Sequence, residues 1–203
     1  MTSDGNSVNI EPIRPYHHGD LRAALIASGL ELLAEHTADA LSLREVARRV
    51  GVSATAVYRH FPDKQALLSA LAAEGMERLG EMQRAASDRA GGGPDGFAAS
   101  GATYVRFAAE NPALFRLIFA SAPPVSLLDA APDEVGLAMR GLREDIARLM
   151  PRDLPETARR TAALHAWSLV HGLAMLILDG QVPYEPDAIE AVIRGAGLAG
   201  KAG

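Results

Sequence analysis

Between Leu43 and His60 the chain places Ala47, Gly51 and Val57 at spacings of four and six residues, and that spacing leaves few ways to fold. Two helices crossing at a steep angle tolerate only a small side chain at closest approach, and Ala47 is small. The sharp turn between them needs a residue at ease at positive φ, a role for Gly51. The second helix needs an apolar anchor on the first, which is Val57, with Val46, Val50 and Val52 filling the space behind it. The arrangement is a helix-turn-helix. It leaves Ala54, Thr55, Tyr58 and Arg59 on the outward side.

The rest of the chain is also helical by pattern. Leu21, Ala24, Leu25, Leu32 and Leu33 share one face of a helix over about 20–36. Ser42 and Glu45 have capping-box spacing for a short helix over 43–50, in which hydroxyl and carboxylate each satisfy a backbone donor. Ser53 caps a second short helix running through His60. Pro62-Asp63 opens a long helix over 64–89, which the Gly91-Gly92-Gly93-Pro94 run ends. Further helices are expected near 95–110, 112–120, 133–150, 155–179 and 185–198, divided by Asn111-Pro112, Ala122-Pro123-Pro124, Pro151 and Pro183. No stretch alternates with period two over a useful length, so the fold class is all-α. The organisation predicted is a flexible arm over 1–15, a helix-turn-helix domain over 16–63, and a helical-bundle domain over 64–200 for ligand binding and dimerisation.

Composition narrows the function. With 48% apolar residues among 203 the chain can build a real core, and with no cysteine it has no disulfide framework, thiolate metal site or thiol nucleophile. The longest strongly apolar run, Leu169 to Leu178, falls short of the roughly 20 residues of a membrane span. The polar N-terminus lacks a signal-peptide pattern, so a soluble cytoplasmic protein with no membrane partner is expected. No Glu-x-x-His pair, serine elbow or zinc signature occurs, and the glycine run follows no strand. His165 and His171 are six apart, poorly spaced to share a metal. Catalysis, a metal and a cofactor are therefore not expected. The net charge is −5, yet over 14–72 basic residues slightly outnumber acidic ones, a weak hint of a polyanion partner.

Tyr58, Arg59, His60 and Lys64 gather a phenol, a guanidinium, an imidazole and an ammonium within a turn of one helix end and the next helix start. Such donors suit phosphate oxygens, which fix register without reading bases. Ser53, Ala54 and Ala56 lie at the start of the second helix, where small side chains permit close approach to a groove. Thr55 is the best candidate for a base contact through its hydroxyl or methyl. Arg59 suits a guanine edge or a phosphate and Arg44 the DNA backbone, while Arg14 in the arm is read first as an untethered solvated charge and second as a minor-groove contact. A helix over 54–60 is about 10 Å long and covers only a few base pairs, so specificity calls for two copies on a palindromic double-stranded DNA operator.

The segments Tyr16-His17-His18-Gly19-Asp20-Leu21-Arg22, Leu43-Arg44-Glu45-Val46-Ala47, Gly51-Val52-Ser53 and Tyr58-Arg59-His60-Phe61-Pro62-Asp63-Lys64 resemble the tetracycline-repressor (TetR) family of bacterial transcriptional regulators. The resemblance implies a short third helix in the major groove, with Tyr58 and Lys64 on phosphates. Thr37 departs from it, since relatives often end the first helix with glycine there. Further on, Trp167, His171 and Gly172 resemble a subfamily named for its Trp, His and Gly. That likeness implies a homodimer through the last two long helices, about 155–179 and 185–198, and a small-molecule effector pocket in each protomer.

Phe107, Phe115 and Phe119, with Phe97, cluster in sequence, while Trp167, His171 and Met175 form an i, i+4, i+8 stripe. Together they would suit an apolar or aromatic effector whose one hydrogen-bonding group is answered by His171, or they are plain core. The function expected is a DNA-binding regulator, a repressor by family default, released by an effector. The alternative is a helical small-molecule-binding or interaction protein without sequence-specific DNA binding.

Overall fold

In the computed structural model, which describes residues 18–121, 131 and 135–195, the chain runs through α1 (His18–Glu35), α2 (Leu43–Val50), α3 (Ala54–Tyr58), α4 (Lys64–Arg89), α5 (Gly93–Glu110), α6 (Pro112–Ala120), α7 (Leu137–Leu149), α8 (Glu156–Leu178) and α9 (Pro186–Ile193). No strand occurs among the described residues. The arm over 1–15, including Arg14, lies outside them.

Local chemistry sets the boundaries of the first four helices. Ser42 Oγ accepts from the Glu45 N–H at 3.2 Å, Ser53 Oγ from the Ala56 N–H at 3.2 Å, and the Asp63 carboxylate from the Ala66 N–H at 2.7 Å. Each satisfies a donor that the first helical turn leaves open. Only half of the expected capping box forms at α2, because the Glu45 carboxylate turns instead to Arg48 at 3.1 Å. Gly51 takes the left-handed conformation (φ 77°), so its N–H and that of Val52 close back onto carbonyls of α2. Thr37 avoids that conformation: Ala40 N–H bonds the Thr37 carbonyl at 3.1 Å in a turn made without positive φ.

The head built by α1–α3 is closed around Leu25, Leu33, Val46, Val57 and Phe61, all essentially inaccessible. Burying each is worth about 1.5–3 kcal/mol. Arg49 fastens α2 to α1 through Glu35 at 2.6 Å, and Arg22 lies over the Phe61 ring at 5.3 Å. The same core continues along α4 through Leu67, Leu71 and Leu79 into Phe107, Phe115 and Ile118 of α5 and α6. Helix α4, 26 residues and about 39 Å long, packs against α1, α5, α6 and α7. It approaches α7 so closely that a Cβ on Gly80 would sit 2.6 Å from the Ala138 nitrogen.

Several boundaries differ from the sequence reading. α3 stops at Tyr58, with Arg59 and His60 continuing as a turn that carries Phe61 back under Val57. α5 starts at Gly93 rather than 95, since Gly92 (φ 70°) and Pro94 begin it at once. α7 starts at Leu137 rather than 133, and α9 ends at Ile193 rather than 198, just before Gly195 turns left-handed (φ 71°). The hydropathy reading also needs correction. By length and composition, Glu156–Leu178 is apolar enough to cross a membrane, because alanines extend its apolar window well beyond Leu169–Leu178. Only 17% of that window is buried, and Leu164 (46% exposed) and Leu176 (47%) lie open on α8.

Candidate nucleic-acid interface and effector cavity

At the head, Val57 is fully buried and turns one side of α3 onto α2, and this fixes what the opposite side presents. Thr55, Tyr58 and Arg59 are exposed there, with Tyr58 at 49%. Ala54, Ala56 and His60 are half-buried. Ser53 is exposed but spends its hydroxyl on the α3 cap, and Arg44 is exposed in the first turn of α2. Lys64, at the start of α4, donates from Nζ to the Asp39 carbonyl at 2.6 Å, which ties the α1–α2 loop to the long helix. Its ammonium keeps further protons for a second acceptor.

The second feature is a cavity of about 90 Å³ lined by α4, α5, α7 and α8, with Phe119 of α6 and Ile193 of α9 at its wall. Its walls are mostly apolar, with Met76 and Gln83 from α4, Phe97 and Tyr104 from α5, and Met139 and Trp167 from α7 and α8. No charged side chain lines it among the described residues. Of the six residues anticipated for an effector, Phe119 and Trp167 line this space. Phe107 and Phe115 are sealed in the core, and Met175 packs against that core from α8.

His171 does not line the cavity; it sits behind the wall, its ring 5.6 Å from Phe115 and 4.6 Å from Phe119. Its Nδ1 lies 2.9 Å from Tyr104 Oη, which in turn accepts from Trp167 Nε1 at 3.3 Å. Burial lowers the pKa of His171, which favours neutral imidazole, and raises that of Tyr104, which keeps its proton. With Trp167 able only to donate, the phenol donates to Nδ1 and the His171 proton resides on Nε2. The Nδ1 acceptor of the group anticipated for a ligand is therefore engaged inside the protein.

Tyr104 and Gln83 were not anticipated. A signal for each exists in the sequence: Tyr104 follows Phe97 by seven residues on one face of α5, and Gln83 follows Met76 by seven on α4. The Gln83 Nε2 donates to the Ser100 carbonyl at 3.3 Å, while its Oε1 is buried without a partner.

The head and the cavity-bearing body correspond to two known domains. Residues 25–71 match the model of bacterial regulatory proteins of the tetR family, and residues 97–196 match that of the tetracyclin repressor-like C-terminal domain. The chain belongs to the TetR family. Like other TetR-family proteins it is a transcriptional regulator with a helix-turn-helix DNA-binding domain followed by a helical domain, and not an enzyme. Among solved structures, a protein of unknown function from Rhodococcus sp. RHA1 is 33% identical, over 91% of this chain and 95% of that one, with a TM-score of 0.70. A tetR-family transcriptional regulator from Streptomyces coelicolor shares the fold at 22% identity, covering 86% and 78% of the two chains, with a TM-score of 0.63. So does a TetR variant from Acinetobacter baumannii AYE in complex with minocycline, at 22% identity, 86% and 90% coverage and a TM-score of 0.56.

Proposed function

We propose that this TetR-family regulator is a cytoplasmic repressor that binds a palindromic operator as a homodimer and is released by a small-molecule effector held in the body. The observation that carries the reading is α3 itself: Val57 is locked inward while Thr55, Tyr58 and Arg59 stand free beside it. The division of labour falls near Asp63, with residues 16–63 reading DNA and 64–200 responding. Thr55 contacts base edges, with Ala54 and Ala56 allowing close approach. Tyr58, Lys64, Arg44, Ser53 and His60 contact the phosphate backbone, and Arg59 serves either surface.

The homodimer is supported by apolar residues exposed on α8 and α9 of a single protomer, Leu164, Leu176 and Val192. A second copy seated there removes that surface from water. The Trp-His-Gly subfamily reading rests on Trp167, His171 and Gly172 all lying on α8. An effector that favours one geometry of the body by about 1–3 kcal/mol changes operator affinity roughly 5–150-fold.

Selection of bound sequences from random DNA tests the reading, followed by affinity measurements on the selected site. The expected outcome is an inverted repeat, with affinity falling steeply as salt rises. Tyr58→Phe should weaken binding by up to about tenfold on every sequence, whereas Thr55→Ala should change the ranking of sequences at one position per half-site. Recovery of no common sequence would overturn the proposal.

A further inference from the structure

Helices α7 and α8 are joined by the short connection over 150–155 and pack against each other. Between them runs a groove of about 410 Å³, larger than the cavity and within the roughly 300–1,000 Å³ of small-molecule sites. Arg140, Arg143 and Ala147 line it from α7, and Arg159, Arg160 and Ala163 from α8. Residues three, four or seven apart share a helix face, so each helix turns one such stripe toward the groove.

Charge restricts what fits. Among the described residues the wall holds four guanidinium groups against two carboxylates, Glu144 and Glu156. Glu144 is held at 2.9 Å by Arg148, which lies outside the groove. Glu156 stands in solvent 3.6 Å from Arg159, and an exposed pair at that separation is worth little. Arg140 is half-buried, and its guanidinium meets no hydrogen-bond or ion-pair partner among the described residues. Arg159 donates from Nη2 to the Arg152 carbonyl at 2.8 Å, and its Nε is buried, so what it offers the groove lies at its terminal nitrogens. A guanidinium stays charged across the working pH range. Partly withdrawn from water without a counter-ion, it carries a cost that a bound anion offsets. Its planar fork matches the oxygens of a carboxylate or a phosphate. Val135 and Ile146 close the floor and are almost inaccessible, so an apolar body would touch Ala147 and the arginine stems instead.

From this arrangement we infer that the groove between α7 and α8 is a binding site for a small organic oxyanion, whose carboxylate or phosphate is held by Arg140 and Arg159. The site is separate from the cavity, where an anion would find no counter-charge among the described residues. It stands whether or not its occupation releases an operator.

Benzoate, phenyl phosphate and benzyl alcohol share one ring and differ in the head group, so calorimetric titration of the full chain at neutral pH and low ionic strength tests the site. The expected result is one site per chain for at least one of the two anions, about tenfold or more tighter than benzyl alcohol. Tighter binding of phenyl phosphate assigns the head as a phosphate ester, and tighter binding of benzoate as a carboxylate. Arg140→Gln breaks no partner in the described structure, so it should fold as the parent does and lose about tenfold on the tighter anion. Arg159→Gln should lose a similar factor. Arg89→Gln, which removes the same charge from the exposed end of α4, should stay within about twofold of the parent. The inference is overturned if neither anion outbinds benzyl alcohol, if Arg140→Gln or Arg159→Gln keeps the parental affinity, or if Arg89→Gln costs as much as Arg140→Gln.

Discussion

The head and the body of this protein are built from the same helix type but to different degrees of closure. In the head, Leu25, Val46, Val57 and Phe61 are inaccessible, three of the helix starts at α2–α4 carry side-chain caps, and Arg49 clamps two helices together. In the body, no N-cap residue of α5 to α9 makes a side-chain cap bond, α7 being met instead by Glu77 of α4 on the Leu137 N–H at 3.3 Å, a cavity interrupts the packing, and α8 leaves large apolar residues open. A surface that must present donors to a fixed duplex gains from a closed core beneath it. On the proposed function, a body that accommodates a guest and answers to it would gain from packing that can change.

The sharpest way to break this comparison is a pair of truncations. Phe61→Ala empties a fully packed site in the head and should cost about 3–5 kcal/mol, whereas Trp167→Ala enlarges an existing cavity and should cost clearly less, both read by denaturant unfolding. Equal losses would mean that the body is packed as rigidly as the head. Gly80→Ala probes a place where the body is tight against backbone. Its new methyl would press on the Ala138 backbone and the Leu137 side chain, so a loss of about 1–3 kcal/mol is expected from overpacking. A neutral Gly80→Ala would show that α7 slides freely on α4.

The smallest effect is on pH dependence. Burial depresses the His171 pKa, so the unfolded chain takes up a proton there at a higher pH than the folded chain does. Stability is therefore complete above the unfolded value near 6.5 and declines as pH falls below it. His171→Asn keeps an acceptor for the Tyr104 hydroxyl but cannot titrate, and it should flatten that decline between about pH 7 and 5 in thermal melts. An unchanged slope would mean that other groups set the acid sensitivity.

The head was almost fully legible in the sequence because its determinants are local. Ser42, Gly51, Ser53 and Asp63 each act on backbone within a few residues, and Ala47 and Val57 meet across one turn. What a linear reading could not see was competition for partners, as when Glu45 chose Arg48 over the backbone and Lys64 found Asp39 across 25 residues. In the body the helices were legible from prolines and glycines, but the cavity was not. Tyr104 meets His171 across 67 residues, so the imidazole Nδ1 already has a partner inside the protein. Counting phenylalanines also failed to distinguish Phe115, deep in the core, from Phe119, a few residues on and at the cavity wall. The period of α8 says which residues share a face, not which face another helix covers.

The bond from Lys64 to Asp39 has a mechanical consequence. Because it welds the loop of the head to the first residue of α4, that end cannot lag behind when the rod turns. Gln83 stands nineteen residues away along the same rod, roughly 28 Å. On the proposed release mechanism, a pivot of about 5° near Gln83 would sweep the far tip through roughly 2.5 Å, a displacement on the scale of a groove misfit.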